Sequence, residues 1–285
     1  MVSDVDTLTI ATWNVNSVRA RMESLVEWLR HQSPDVALLQ ETKIHHEAVD
    51  KEIFEDLGYN VAFFGQKAWN GVAILSKRPL EDVRYGFERK ESPAETRSID
   101  QPYLHARVIE GLCPFATGMM RVVSIYAPIG NPLGSDKYQN KLLFMDEMYD
   151  YVLSLLGEEG HFVLGGDYNV LLEDKDAADR DVFDDDAVGS YASMASMRRI
   201  MHLGVVDSVR ARHRGEGHYS YWDYQDGAWE KDHGILIDRL LLSPHSADCL
   251  RESGIMREMR GRGARGVSQN KPSDHVPVWC RLSSP

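Results

Sequence analysis

The chain is poor in cysteine and has no segment typical of export or membrane insertion. Its 285 residues include three cysteines, Cys113, Cys249 and Cys280, which are scattered and lack the spacing of metal ligands. An odd, scattered set argues against a disulfide framework and fits a reducing cytosol. Residues 1–6 show no basic stretch followed by an apolar one, and no apolar run approaches membrane-spanning length. The sequence therefore predicts a cytoplasmic protein with a loose N-terminus over residues 1–7.

Positive charge is also scarce, since the formal net charge at pH 7 is −12. This balance argues against non-specific binding of nucleic acid, although it does not exclude a basic patch. Residues 251–271 hold six Lys or Arg against two Glu, and residues 173–186 hold eight Asp or Glu against two Lys or Arg. Both segments can be solvated loops. Alternatively, the basic one touches phosphates, and the acidic one lies away from DNA or follows the chain past an active site.

The chain contains no linker, repeat or low-complexity tract, and a hydrophobic content of 43% is ample for one large core. We therefore predict a single domain over residues 1–285. A capping serine, Ser17, precedes a helix whose apolar face is Met22, Leu25, Val26 and Leu29. Further helices are predicted at 137–156, with Tyr149 facing inward, and at 194–203. Apolar runs predict strands at 8–13, 35–40, 61–65, 72–76, 103–109, 122–126, 161–164, 219–222, 236–242 and 276–281. This order fits two packed sheets covered by helices, and the pattern alone also allows other α/β folds.

One motif, Gly-Gly-Asp-Tyr-Asn at 165–169, follows the apolar run 161–164 directly. On an extended chain Asp167 and Asn169 project to the same side. A carboxylate that accepts a proton and an amide beside it suit the orientation of a water next to a phosphate. The same residues are also ordinary turn formers, so the motif gains meaning only from its neighbours.

Other motifs occur in order along nearly the whole chain, from about Leu8 to Trp279. They are Thr-Trp-Asn at 12–14, Gln-Glu-Thr-Lys at 40–43, Trp-Asn-Gly at 69–71, Ser-Ile-Tyr-Ala-Pro at 124–128, Tyr-Ser-Tyr-Trp-Asp-Tyr at 219–224, Ile-Asp-Arg at 237–239 and Pro-Ser-Asp-His at 272–275. Together with the glycine motif they resemble the exonuclease III family of DNA-repair nucleases, within the wider endonuclease/exonuclease/phosphatase fold. The resemblance implies a four-layer α/β/β/α sandwich of two packed mixed sheets flanked by helices.

The resemblance also implies a metal site. Most motif residues fall at strand ends, which one rim of a sandwich can collect. By resemblance Glu41 is the main metal ligand, with Asn14 and Asp274 nearby. Hard oxygen donors suit Mg²⁺, and Mn²⁺ accepts the same ligands.

Five residues match the family's catalytic positions, namely Asp167, Asn169, Tyr126, His275 and Asp238. In this assignment Asp167 aligns or deprotonates a water, which attacks phosphorus in line with the leaving 3′-oxygen. Asp238 orients His275, while Tyr126, Asn169, His275 and the metal stabilise the developing charge. The products are a 3′-hydroxyl and a 5′-phosphate.

The resemblance further implies a pocket for a flipped-out abasic sugar, formed by Tyr221 and Trp222 with Ile237 as the opposite wall. An apolar slot that fits a deoxyribose but excludes a base selects damage by size.

Several positions depart from the family pattern, three of them within or next to the site motifs. Ile129 stands where an amide is usual, unless Asn131 replaces it; Leu236 stands for Arg; and Arg239 stands where His is frequent. None of these removes a residue of the predicted site, so we predict an active but divergent member.

The sequence thus predicts a monomeric DNA-repair nuclease that acts on duplex DNA at abasic sites or 3′ ends. Incision 5′ to abasic sites, 3′→5′ exonuclease action and 3′-end trimming all fit the sequence. One alternative keeps the fold and makes the chain a phosphodiesterase or phosphatase for small molecules or lipid headgroups. A second alternative is a non-catalytic DNA-binding relative.

Overall fold

Two six-stranded sheets form the centre of the molecule in a computed structural model that describes residues 7–91, 105–261 and 271–284. In the first sheet the strands are β1 (Thr7–Asn14), β2 (Val36–Gln40), β3 (Asn60–Phe64), β4 (Val72–Ser76), β11 (Leu250–Ile255) and β12 (Val278–Ser283). In the second they are β5 (Glu81–Tyr85), β6 (Val108–Phe115), β7 (Gly118–Tyr126), β8 (His161–Asp167), β9 (Val206–Asp207) and β10 (Asp238–Leu242). The first sheet has the order β11-β12-β1-β2-β4-β3 and the second β5-β6-β7-β8-β10-β9.

Both sheets are mixed, because one neighbouring pair in each runs parallel. These pairs are β1 with β2 and β7 with β8, and the other pairs are antiparallel. Parallel neighbours end at the same edge of a sheet. The ends of β1, β2, β7 and β8 therefore come together at one rim of the molecule.

The inner faces of the sheets pack on each other through aliphatic side chains. Leu8, Ile10 and Leu38 of the first sheet belong to one buried cluster with Val122 and Leu240 of the second. At Gly165 the sheets approach so closely that an added Cβ would lie 2.5 Å from Leu38 Cδ1 of the opposite sheet, and it would also lie 2.7 Å from Leu240 Cδ2 of the neighbouring strand β10. Glycine is required here by the tight approach of neighbouring side chains.

Helices cover both outer faces, which confirms the predicted four layers. Helix α1 (Val18–Gln32) packs on the first sheet, while α3 (Asp136–Gly157) and α4 (Tyr191–Met201) pack on the second. Three short helices, α2 (Glu52–Glu55), α5 (Ser208–Arg212) and α6 (Pro244–Asp248), complete the set of α-helices in the described residues. The predicted cap is confirmed, because the Ser17 hydroxyl accepts from the backbone N–H of Ala20.

Some elements differ from the prediction. Residues 103 and 104 of the expected strand at 103–109 lie outside the described residues, and in its described part β6 begins at Val108. Residues 219–222 form isolated bridges through Tyr221 rather than a strand. Strands β5 and β11 were not predicted, because their half-exposed, charged sequences lack a regular apolar alternation. In α1 the predicted Leu25 and Leu29 are buried together with Trp28, whereas Met22 and Val26 are only partly buried.

All three cysteines are buried thiols. In the described ranges, no helix combines the length and apolar character needed to cross a bilayer. The predicted loose segment 1–7 lies outside the described residues except for Thr7, which is already paired with Ser283 in β1.

Candidate active site

Strand ends deliver the predicted residues to one rim. Asn14, Tyr126 and Asp167 are the last residues of β1, β7 and β8, and Glu41 follows β2 directly. Tyr126 lies in register with Asp167 on the parallel neighbour, and Asp238 opens the antiparallel β10 opposite Asp167. The expectation that one rim collects the motif residues therefore agrees with the topology.

Asn14 links the two sheets at this rim. Its amide nitrogen donates to Glu41 Oε1 at 2.8 Å and to Asp167 Oδ2 at 2.9 Å. Its amide oxygen accepts from the backbone N–H of Asn16 at 3.0 Å. Asn14 thus turns its nitrogen to the carboxylates, so in this arrangement it orients them and does not offer an oxygen to a cation.

Asp167 is buried at the base of the site and is held from two sides. Besides Asn14, the backbone N–H of Asn169 donates to its Oδ1 at 2.9 Å. Burial holds the pKa of the Asp167 carboxyl above its usual range, although the charge of His275 opposes that shift. A carboxyl with a raised pKa beside a cavity can accept a proton.

His275 pairs with Asp238, as the sequence predicts. Its Nδ1 lies 2.8 Å from Asp238 Oδ2, and because a carboxylate only accepts, Nδ1 carries the proton. Its Nε2 faces Asp167 Oδ2 at 3.8 Å. Burial alone would lower the pKa of His275, but the carboxylates of Asp238 and Asp167 outweigh it and raise the pKa to about 10. The ring is therefore an imidazolium donor at neutral pH.

Asp238 is fixed by Ser220, whose hydroxyl donates to the same Oδ2 at 2.7 Å. The main chain of His275 is fixed as well, since Trp13 Nε1 donates to its carbonyl oxygen at 3.1 Å. The ring of Tyr221 meets His275 edge-on, with centroids 4.8 Å apart.

Glu41 adopts a left-handed backbone, with φ of 50°, that turns its carboxylate into the site. Lys43 Nζ contacts its Oε2 at 2.8 Å. Although burial opposes the shift, Lys43 and Asn14 keep the pKa of Glu41 below its usual value. Glu41 is therefore ionised at neutral pH.

Ligand atoms of Glu41, Asp167 and His275 lie within 4.8 Å of one another. Two carboxylates at this spacing fit a hard divalent cation. The predicted ligand Asp274 lines the same cavity, but its Oδ1 accepts from Asn16 Nδ2 at 3.0 Å.

Tyr126 lines the same cavity as Glu41, whose negative charge contributes to the raised pKa of its phenol. The guanidinium of Arg107 lies 4.8 Å from the centroid of its ring. Burial raises the pKa of Tyr126 well above its usual value, so the hydroxyl stays protonated and can donate.

Asn169 reaches the site through a turn and not on an extended chain, because its φ is 50°. Its amide nitrogen donates to the Ala127 carbonyl at 2.9 Å and lies 3.3 Å from Asp167 Oδ2. The predicted proximity of Asp167 and Asn169 is correct, but the alternation given as its reason is wrong.

A cavity of about 640 Å³ opens over these groups. The predicted residues in its wall are Glu41, Tyr126, Asp167, Asn169, Tyr221, Ile237, Asp274 and His275. Asn14 and Asp238 stand behind the wall, in contact with Asp167 and His275 respectively.

Trp222 does not line the cavity, which corrects the prediction for this residue. Its side chain is wholly buried in the cluster beneath the first sheet, where Nε1 donates to Asp232 Oδ1 at 3.0 Å. Neighbouring side chains of an extended segment point to opposite sides, so Tyr221 faces the cavity while Trp222 faces the core.

The acidic segment 173–186 borders the site. The sequence alone did not decide between this position and one away from the site. Asp179 and Asp186 line the cavity with Val182 and Phe183. On another side Asp223 and Asp226 line it, and within the described residues no Lys or Arg does. Sequence reasoning found the acidic run but had no signal for where its loop would lie.

The basic segment 251–271 is only partly a loop, because Leu250–Ile255 forms β11. Arg257 lies about 5.0 Å from the ring centroids of Trp222 and Trp229, and Lys271 Nζ lies 3.4 Å from that of Tyr224. Arg262 and Arg265 fall outside the described residues. The described cations are thus partly engaged with aromatic rings of the protein.

The departures from the family pattern have distinct positions. Ile129 lines the cavity with 51% exposure. Asn131 lines the same cavity, where its amide donates to Asp186 and accepts from the Ala187 N–H. Arg239 is wholly buried and pairs with Asp176 and Asp207 behind the site, and Leu236 is buried in the core.

Comparison with known proteins agrees with this geometry. The endonuclease/exonuclease/phosphatase family model matches residues 11–275. Exodeoxyribonuclease III of Haemophilus influenzae is 28% identical over 282 residues, which cover 95% of this chain and 98% of that protein.

Solved structures give the same result. An AP endonuclease from Archaeoglobus fulgidus has a TM-score of 0.85 and 30% identity, covering 97% of this chain and 100% of that one. The 3′ phosphatase NExo from Neisseria, bound to a product DNA hairpin, has a TM-score of 0.85 and 28% identity at the same coverage. The chain belongs to the endonuclease/exonuclease/phosphatase family and, within it, to the exonuclease III and AP endonuclease branch of DNA-repair nucleases.

Proposed function

We propose that the chain is a Mg²⁺-dependent nuclease that hydrolyses phosphodiester bonds of duplex DNA at abasic sites or 3′ ends and trims blocked 3′ ends such as a 3′-phosphate. One observation carries the proposal: Asp167 stands between Glu41 and the His275–Asp238 pair at the base of a cavity of about 640 Å³. Relatives named exodeoxyribonuclease III, AP endonuclease and 3′ phosphatase support DNA as the substrate.

In the proposed reaction Asp167 accepts a proton from a water that attacks phosphorus. The new bond joins the water oxygen to phosphorus, the bond from phosphorus to the 3′-oxygen breaks, and that oxygen takes a proton from solvent. Asn14 holds the Asp167 carboxylate through its amide nitrogen at 2.9 Å. The backbone N–H of Asn169 holds the other carboxylate oxygen at 2.9 Å, and the remaining lone pairs of Asp167, which lines the cavity, are left for the water.

Two donors stabilise the negative charge that develops on the phosphate oxygens. His275 supplies an N–H from Nε2 as an imidazolium, and Tyr126 supplies its phenol. Such preorganised donors are typically worth about 3 kcal/mol each. Asn169 fixes the loop after β7 through the Ala127 carbonyl.

Glu41 would hold the metal, with the predicted ligand Asp274 in the wall of the same cavity, while Asp167 serves the water. When bound, Mg²⁺ neutralises phosphate charge and acts as a Lewis acid. The two carboxylates suit Mg²⁺, which takes few protein ligands and keeps several waters. Mn²⁺ would accept the same ligands.

Tyr221 and Ile237 give the cavity an apolar wall against which a deoxyribose can pack. The cavity opens at a rim of the sandwich, so we propose a monomer whose DNA face stays free.

The two alternative functions, a phosphodiesterase or phosphatase for small molecules or lipid headgroups and a non-catalytic DNA-binding protein, fit less well. The relatives act by name on DNA, and the combination of acid, imidazole and phenol favours catalysis over binding alone.

The test uses end-labelled duplexes carrying an abasic site, a 3′-phosphate or a plain recessed 3′ end, each with Mg²⁺ and with EDTA. We expect metal-dependent cleavage of at least one duplex and a loss of about a thousandfold or more in Asp167→Asn, because the proton acceptor is removed. Asp185→Asn, in the exposed acidic loop, is the matched control. Absence of cleavage of all three duplexes at high enzyme concentration would refute the proposal.

A further inference from the structure

Lys141 of α3 is wholly buried, which is unusual for lysine. Its Nζ donates to three backbone carbonyls: Asn169 at 2.6 Å, and Pro128 and Ile129 at 3.1 Å each. An ammonium has three N–H donors and no acceptor, so these carbonyls satisfy it completely. Among the described residues no carboxylate forms an ion pair with it.

The three carbonyls belong to two different loops of the active site. Pro128 and Ile129 follow β7, which ends at Tyr126, and Asn169 follows β8, which ends at Asp167. Lys141 therefore ties together the two loops that extend from the catalytic strand ends. The bond from Asn169 Nδ2 to the Ala127 carbonyl at 2.9 Å is a second tie between the same loops.

The surrounding structure is shaped for this side chain. At Gly130, where φ is 88°, an added Cβ would lie 2.6 Å from Lys141 Cδ. The glycine lets the loop lie directly against the lysine stem.

Packing alone does not require a lysine at this position. Its neighbours on the buried face of α3, Phe144 and Met145, are apolar. Burial lowers the pKa of Lys141 to about 7, while the charges of Asp167 and Asp186 act in the opposite direction. An apolar side chain would avoid the desolvation cost of the ammonium but would leave three carbonyls without donors.

We propose that Lys141 is a positioning residue, whose ammonium holds Asn169 and the loop 127–130 in the arrangement that Asp167 and Tyr126 need to act on the phosphate. This inference rests on the proposed nuclease function. A residue that acts through orientation affects the chemical step more than the binding of DNA.

The test compares Lys141→Met, which keeps the length without donors, with Lys141→Gln, which keeps two donors. Lys137→Met, at an exposed position of the same helix, is the control. We measure kcat and KM on the best duplex of the three, and the melting temperature of each protein.

We expect kcat to fall about 10- to 100-fold in Lys141→Met and less in Lys141→Gln, as the number of donors falls. KM should stay within about threefold, and the melting temperature should not follow the loss in rate. A rate that follows the melting temperature, or an unchanged kcat in Lys141→Met, would overturn the inference. Failure of both variants to fold would also overturn it, because Lys141 would then serve the fold.

This result is separate from that of the proposed function. If the parent chain cleaves none of the duplexes, the nuclease proposal fails. If the parent cleaves and the Lys141 variants behave like Lys137→Met, only the role of Lys141 fails.

Discussion

At the scale of single residues, the charge of His275 is set by its neighbours. Its imidazole is buried, which disfavours the charged form, yet Asp238 at 2.8 Å and Asp167 at 3.8 Å favour it more strongly. The balance makes His275 a hydrogen-bond donor and not a general base at neutral pH. Asp167 is then the remaining proton acceptor in the proposed reaction.

This balance predicts the pH dependence of Asp238→Asn. In the folded protein the pKa of His275 is raised, so the imidazolium persists at neutral pH and is lost only when the pH rises above that pKa. Loss of the Asp238 charge lowers the pKa of His275, so the alkaline fall of kcat/KM should begin at lower pH. The rate at pH 8 should drop about a hundredfold, the value of one preorganised donor. A pH–rate profile on the cleaved duplex measures this.

Asp185→Asn serves as the control for that profile, because it removes one carboxylate from the exposed loop. An alkaline limb that stays in place in Asp238→Asn would contradict the assigned role of His275.

At the same scale, motif spacing could predict which residues meet but not how each is turned. Asn14, Glu41, Asp167, Asp238 and His275 do converge. The orientation of the Asn14 amide depends on the Asn16 N–H, and the burial of Trp222 depends on packing beneath the first sheet. Both are tertiary effects that local sequence does not encode.

At the scale of elements, the approach of β8 to the opposite sheet depends on Gly165. We predict that Gly165→Ala lowers the free energy of unfolding by about 1–3 kcal/mol, because the new methyl group overpacks the space beside Leu38 and Leu240. Urea unfolding followed by circular dichroism measures this change. Gly160→Ala is the control, since an added Cβ there meets nothing within 4 Å. Equal stability of the two variants would contradict the tight approach.

Element prediction succeeded where burial is regular. Buried central strands such as β2 and β4 have continuous apolar sequences, and α3 shows a clear helical period. Edge strands β5 and β11 carry charged residues that face water, so their pairing is determined by neighbours rather than by their own pattern. The same reason explains why a strand within the basic segment was missed.

At the scale of the whole molecule the protein is acidic, with a net charge of −12, and part of that negative charge lies in the wall of the active-site cavity. Asp179 and Asp226 are exposed in the cavity wall, where they repel a polyanion that approaches. This repulsion is long-ranged and is screened by salt.

We predict that the double variant Asp179→Asn and Asp226→Asn lowers KM for duplex DNA at low salt by about 3- to 10-fold, since each exposed charge pair is worth up to about 1 kcal/mol. kcat should change little, and the difference should shrink as salt is added. Steady-state kinetics at several salt concentrations measure both effects. Asp185→Asn, outside the cavity wall, should change KM less. A gain in the double variant that persists at high salt would contradict this electrostatic account.

The bridge made by Asn14 has a consequence for the molecule as a unit. Glu41 belongs to the first sheet and Asp167 to the second, and the Asn14 amide connects them across the gap. The pair of His275, just before β12, with Asp238 of β10 crosses the same gap. Each half of the sandwich therefore carries only part of the catalytic groups. The site is complete only while the two sheets are packed on each other, so loss of that packing would end catalysis before either sheet unfolds.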